Sequence, residues 1–337
     1  REVAVLAVPD NPTKTIASGK QVIDLTTKVG ADGKLHWEVP AGDWAILRFV
    51  CLNHGQQLIV PSPKSGGFMI DFFDPRATEF HLRHIAGTIL KELGRESFAG
   101  TSFETMEFDS MELDGFTPWT ETMADGFQRQ VGYPVIGFLP LLTGCKLADP
   151  KAMERFLYDW KKFVSDRLIE SHYATGRKVL QSYGVKLIAE AGGPGPPIWD
   201  SNPVDGIKAL GVVDIPRGEF WIRHRGIFLV KEIAAAAHVY DKRLVDAESF
   251  TTWRRWVDGP LPHKELADRA LAEGLNCFSG HTFASSPPEA GLPGWAYHAG
   301  TDINSRATWW PMVRGLMDYL ARCSYVLRQG WAVADVC

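Results

Sequence analysis

RLVDAESFTTWRRWVDGPLPHKELADRALAEGLNCFSGH, from Arg243 to His281, sets the pattern for most of the chain. It begins with a short apolar strand, RLVDAE, that stops at Glu248. A helix follows at HKELADRALAEG, and a second strand, NCFSGH, stops at His281. Short apolar strands alternating with helices point to a parallel sheet covered on both faces.

The same alternation extends upstream and downstream. VKLIAE ends at Glu190, LGVVDIP reads as a strand near Asp214, and IFLVKEIAAAAHVY reads as a helix leading back to RLVDAE. Further upstream, FMIDFF (68–73) reads as a strand ending at Asp74-Pro75, where Asp can cap a helix and Pro suits its first turn. The helix so started carries Leu82, Ile85, Ile89 and Leu93 on one face and closes at Gly94. A strand within SFETMEFDSME, a helix from near Trp119 and a long helix from Pro150 to Tyr183 complete this part. Downstream, Trp310, Val313, Leu316, Leu320 and Leu327 have helical spacing, Gly330 is the stop, and WAVADV is the final strand.

About seven strand–helix repeats result, one short of a closed (β/α)8 barrel of the TIM type. An incomplete barrel over residues 65–337 is the expected architecture, with an open doubly wound sheet as the alternative. Residues 1–64 read as an antiparallel β segment: KLHWEVP alternates apolar and polar residues, and WAILRFVCL is a second strand. PSPKSGG (61–67) reads as a linker. Arg1 opens the chain without an initiator Met or a signal-peptide pattern, and Cys337 closes it inside an apparent strand, as expected of a piece of a longer polypeptide.

Composition narrows the function classes. The 337 residues are 45% hydrophobic and 23% charged, with a net charge of -4 that gives no attraction to nucleic acid or an anionic membrane. No apolar run approaches the roughly 18 residues of a membrane span. The five cysteines are widely spaced without a CxxC pair and read as buried thiols.

The candidate chemistry lies where strands end, because barrels of this kind build their active sites at the carboxyl ends of the strands. Asp109, Glu112, Glu190, Glu219, Glu248, His281 and Asp335 occupy those positions. Carboxylates repeated at strand ends suit glycoside hydrolysis, in which one acid protonates the leaving oxygen and a second carboxylate activates water or attacks the sugar. Trp119, Trp199, Trp221, Trp253 and Trp295 lie in or beside these loops and could face a sugar, although single tryptophans are more often packing residues.

Other chemistries fit less well. There is no G-x-S-x-G elbow, and the prolines of GGPGPP (192–197) remove the N–H donors that a phosphate cradle needs. His81 and His84 lack an H-E-x-x-H context, and DSNPVD (200–205) offers oxygen ligands without EF-hand spacing. A non-catalytic carbohydrate-binding or scaffold fragment and a metal-assisted deacetylase are the competing classes. The second would need a His/Asp ligand cluster where Glu predominates here.

An ordered series of motifs resembles glycoside hydrolase family 106, the α-L-rhamnosidases. VIDLTTKVGADGKLHWEVPAGDWAILRF is similar to the segment ahead of that family's barrel. DSMELDGFTPWT, GFQRQVGYPVIGFLPLLTG, GEFW, AESFT, GLNCFSGHTF and QGWAVADV follow in order over nearly the whole chain. Met111 departs from a frequent aromatic residue, and Pro134-Val135 stands where an acidic residue is usual. The resemblance implies inverting, calcium-assisted hydrolysis of terminal α-L-rhamnosyl linkages of poly- or oligosaccharides. It also implies a secreted or periplasmic bacterial enzyme with further β-rich domains. It assigns Glu112 as general acid and Glu219 or Glu248 as base, with Asp109, Trp119, Glu190, Trp221 and His281 holding the sugar. Glu190 and His281 could instead serve the metal, whose ligands stay unassigned.

Overall fold

The computed structural model describes residues 1–53, 55–57, 64, 66–111, 113, 117–191, 204–222, 228–281, 284–300 and 302–333, without the side chains of 228 and 229. In chain order its strands are β1 (Glu2–Pro9), β2 (Thr15–Ile16), β3 (Ile23–Asp24), β4 (Trp44–Val50), β5 (Thr105–Phe108), β6 (Lys146–Leu147), β7 (Lys186–Ala189), β8 (Ile215–Trp221), β9 (Asp246–Thr251) and β10 (Cys277–Gly280). The α-helices are α1 (Pro75–Leu93), α2 (Met123–Val131), α3 (Pro150–Leu168), α4 (Thr175–Ser182), α5 (Gly206–Val212), α6 (Phe228–Val239), α7 (Pro260–Ala272) and α8 (Val313–Leu327). These elements fall into two compact units, residues 1–81 with 116–172, and 82–115 with 173–337.

In the first unit β1 is central, antiparallel to both β3 and β4. Val5, Ala7 and Leu25 form its small core, against which Trp37 and Trp44 pack. The expected hairpin of KLHWEVP with WAILRFVCL is corrected here: β4 pairs with β1, and KLHWEVP contributes only an isolated bridge from Leu35 to Val29. Alternation marks a strand-like surface but does not name its partner, and EVAVLAVP is the more apolar candidate. A second core joins Phe127 and Phe163, edge to face at 5.3 Å, and Phe138 stacked on Phe156 at 5.2 Å.

The second unit carries the parallel sheet, in the order β5-β7-β8-β9-β10 with every pair parallel. The order never reverses, as it must at the switch point of a doubly wound sheet. The five strands form a curled half-barrel, fewer than the seven repeats expected. FMIDFF is not a strand of it: Phe68 makes one antiparallel bridge to Gln57, and Pro75 starts α1. Six apolar residues alone do not distinguish a strand from a packed loop. Residues 331–333 are not a strand, and 334–337 lie outside the described residues.

Local chemistry sets the boundaries of these elements. Asp149 accepts from the Lys151 N–H at 2.9 Å and Pro150 opens α3, while Pro260 opens α7. The long helix expected from Pro150 is continuous to Ser182, with a π-helical turn at Ile169–Ala174 between α3 and α4. α2 begins at Met123, slightly after the Trp119 start expected. Gly274 ends the α7 turn at φ +111, where a Cβ would come within 2.7 Å of the Ala234 side chain, so helix α6 can sit close only because this residue is glycine. Among the described residues no helix is long and apolar enough to cross a membrane. Cys145 is buried as expected, whereas Cys51, Cys277 and Cys323 are half-buried, and all four are free.

Candidate active site

Side chains alternate across a strand, so residues two apart share a face. On one face of the half-barrel this alternation pairs Glu107 with Asp109, Arg217 with Glu219, and Asp246 with Glu248, and Ser279 stands in register with Glu248. Register aligns Arg217 with Asp246 and Glu219 with Glu248 across β8 and β9. Phe220 and Phe278 have the opposite parity and pack with Phe250, which also meets His263 of α7. Phe250 shares the parity of Glu248 and joins the aromatic side only through an irregularity of β9, where the register shifts and its own φ is +68.

The charged face has two layers. In the first, Arg217 donates to Asp246 at 2.5 Å, to Ser279 at 2.8 Å and to Glu107. Ser279 also donates to Asp246 at 3.1 Å. Asp246 is fully buried and the Arg217 side chain 9% exposed. Despite burial, the Asp246 and Glu107 carboxylates hold the guanidinium above its ordinary pKa. This layer is charge-paired and hydrogen-bonded.

In the second layer, two residues further along, carboxyl groups crowd one another instead. Glu190 follows the last residue of β7, its N–H bonded to the Phe108 carbonyl at 3.2 Å, and its side chain is sealed at 1% exposure. Both of its carboxyl oxygens lack a hydrogen-bond partner among the described residues. Glu190, Glu219 and Glu248 bring carboxyl oxygens within 4.8 Å of one another, and Glu107, Asp109 and Glu190 do the same. Burial, then the charges of Glu248, Glu219 and Asp109, raise Glu190 well above the carboxylate range, with Arg217 opposing. Glu219 is pushed up to about 8, first by burial and next by Glu248. The Trp221 indole N–H favours its charged form, although that nitrogen has no hydrogen-bond partner by geometry.

Glu248 is set differently. Its side chain retains 13% exposure, and Thr251 donates to it at 2.6 Å. His281 lies with Nδ1 3.5 Å from Glu248 and 2.9 Å from the Ala299 carbonyl. A carbonyl only accepts, so Nδ1 carries the proton and Nε2 is the acceptor nitrogen. Near neutral pH burial and crowding thus leave Glu219 holding its proton, beside the more exposed Glu248.

The structure thus brings together Asp109, Glu190, Glu219, Trp221, Glu248 and His281. Glu112 and Asp335 lie outside the described residues, as do Trp199, GGPGPP and most of DSNPVD. Asp205 caps α5 by accepting from Lys208 N at 3.1 Å. Trp119 belongs to the first unit, stacked with Trp160 at 6.2 Å. The sequence reading does not single out Glu107, Arg217, Asp246 or Ser279. The i, i+2 repetition in EFD, RGE and DAE is the signal that could have found them.

Acidic residues gathered on one face of a curled parallel sheet, two of them pushed by burial towards their protonated forms, are the kind of groups that carboxylate-based glycoside hydrolysis uses. The family model for alpha-L-rhamnosidase, glycoside hydrolase family 106, matches residues 1–337, and the chain belongs to that family. It is 33% identical over 96% of its length to a protein of Formosa agariphila named "Putative beta-glucuronidase", of which it covers 27%. The solved structure of a rhamnosidase from Novosphingobium sp. PP1Y superimposes with a TM-score of 0.75 at 30% identity, over 94% of this chain and 31% of that one. The chain therefore spans about a third or less of these relatives.

Proposed function

We propose that the protein hydrolyses terminal α-L-rhamnosyl linkages of poly- or oligosaccharides with inversion, as the barrel portion of a larger secreted or periplasmic enzyme. The observation that carries this reading is the crowded carboxyl layer of Glu190, Glu219 and Glu248 in a chain of the rhamnosidase family. Glu219 and Glu248 are too close to stand on opposite faces of a sugar, since inverting pairs are about 6.5–9.5 Å apart. They act from one side, with Glu248 taking the proton of the attacking water and Glu219 sharing that proton's site. Glu112, which lies outside the described residues, is the proposed acid, and His281 and Trp221 orient the ring.

The buried, partnerless carboxyl of Glu190 beside Asp109 also fits a hard divalent cation, which takes carboxylate oxygens as ligands. Calcium would be held by Glu190 and Asp109. When bound, it supplies positive charge that receives sugar hydroxyl oxygens and fixes the ring.

The Formosa relative's name raises glucuronide hydrolysis as a second reading. A uronate carboxylate would add negative charge to a site where burial already holds Glu190 and Glu219 towards their neutral forms, which favours the neutral deoxy sugar. The deciding experiment offers an aryl α-L-rhamnoside and an aryl β-D-glucuronide with and without a chelator. Chelator-sensitive release from the rhamnoside alone is expected. Release from the glucuronide alone would overturn the reading.

A further inference from the structure

Trp253 is the most conspicuous unassigned side chain near the carboxylates. It follows β9 by two residues, is 67% exposed, and stands edge-on to Trp221 with ring centroids 4.6 Å apart. Trp221 is the last residue of β8, with its indole nitrogen buried beside Glu219. The two rings thus form a wall that begins at the carboxylate layer and ends in solvent. What sets this indole apart is its contact with Trp221 and the backbone that holds it.

The loop that carries it is tied at several points. Thr252 donates its N–H to the Ala299 carbonyl at 3.3 Å and its hydroxyl to Asp258 at 3.3 Å. Arg254 donates its N–H to the Thr252 hydroxyl and its guanidinium to Asp258, both at 3.1 Å. Trp256 N–H reaches Asp302 at 3.2 Å, and the Trp309 indole reaches the Asp258 carbonyl at 3.2 Å. Within this bracing, Arg255 and Trp256 sit at φ +42 and +25, in backbone space that glycine would occupy more cheaply. Such positions cost on the order of 1–3 kcal/mol each and cluster at ligand clamps.

We propose that Trp253 is the platform for the sugar on the leaving-group side of the scissile bond, stacking the C–H face of the ring next to the cleaved rhamnosyl unit. This rests on the glycosidase reading above and adds a subsite to it. The cleaved ring lies against the carboxylates and half-buried Trp221. The ring beyond it emerges along the wall and meets the indole that solvent otherwise covers. Stacking of this kind accepts any pyranose with an unsubstituted C–H face, so the subsite selects for a sugar over a small leaving group rather than for one particular sugar.

Two substrates separate the roles: α-L-rhamnosyl fluoride, whose leaving group cannot stack, and a rhamnose-terminated disaccharide. In Trp253→Ala, the ratio of kcat/KM for the disaccharide to that for the fluoride should fall at least tenfold, chiefly through KM, and Trp253→Tyr should recover most of it. An equal fall on both substrates, or an unchanged ratio, overturns the assignment. Tryptophan fluorescence titrated with the disaccharide gives a readout independent of turnover. If the wild-type protein turns over neither substrate, the rhamnosidase reading falls. The platform then stands if saturable quenching disappears in Trp253→Ala, and falls if quenching persists or is absent from the wild type.

Discussion

The inner face of the half-barrel carries two sets of acidic residues, two positions apart along the same strands, and they have opposite fates. Asp246 and Glu107 share Arg217, with Ser279 completing the bonds. Glu190, Glu219 and Glu248 share no arginine or lysine among the described residues and crowd one another. Burying charge is tolerable when it is paired and costly when it is not. Like charges directly opposite across strands, as Glu219 and Glu248 are, destabilise a sheet. The first layer therefore completes the fold. The second retains an electrostatic deficit that a proton, a cation or a substrate can relieve, a frequent sign of an active site.

The comparison can be broken most sharply by exchanging one member of each layer. Glu248→Gln should reduce kcat on an aryl α-L-rhamnoside by roughly 10²–10⁴-fold, the usual contribution of a proton-transfer group. Its melting temperature should hold or rise, because a repulsion is removed. Arg217→Met should do the reverse in kind: it strands the sealed Asp246 carboxylate, at a cost of about 3–5 kcal/mol. Thermal denaturation should show that loss as a fall on the order of 10 °C.

Calcium sharpens the contrast from the ligand side. Titration should raise the melting temperature by the binding linkage, about 2.7 kcal/mol at a hundredfold excess over Kd. Glu190→Gln should remove most of that rise and Asp246→Asn should not. A rise unaffected by Glu190→Gln would place the ion elsewhere.

The smallest effect is the pH dependence of stability in chelator. Glu219 has its folded pKa raised to about 8, above its unfolded value, so the folded state binds more protons between the two. On its account stability is greatest in mild acid and declines as pH rises from about 4.5 towards 8. Melting temperatures across that range should show the decline, and Glu219→Gln should flatten it.

The positions of the second layer were legible because a strand buried on both faces must be apolar until it ends. Glu190 and His281 therefore stood out as abrupt polar stops after VKLIA and NCFSG. Glu248 was legible for a related reason, although β9 continues past it to Thr251. The first layer was hidden because Arg217 and Asp246 lie inside strands, where a charge looks like an exception until its cross-strand partner is known. Partnership was also what the amino-terminal reading lacked: the alternation of KLHWEVP was genuine, but β1 offered β4 a longer register. The rhythm of strands and helices was read as a (β/α)8-type barrel short of one repeat, of which the described residues show a five-stranded half, because an apolar run such as FMIDFF served as packed loop.

The most direct test of the central claim is to measure kcat on an aryl α-L-rhamnoside and the melting temperature together for Glu219→Gln. A fall in kcat of at least a hundredfold is expected, in a protein that melts no lower than the wild type. Unchanged turnover, or a loss of activity explained by unfolding, would contradict it and make the second layer as structural as the first.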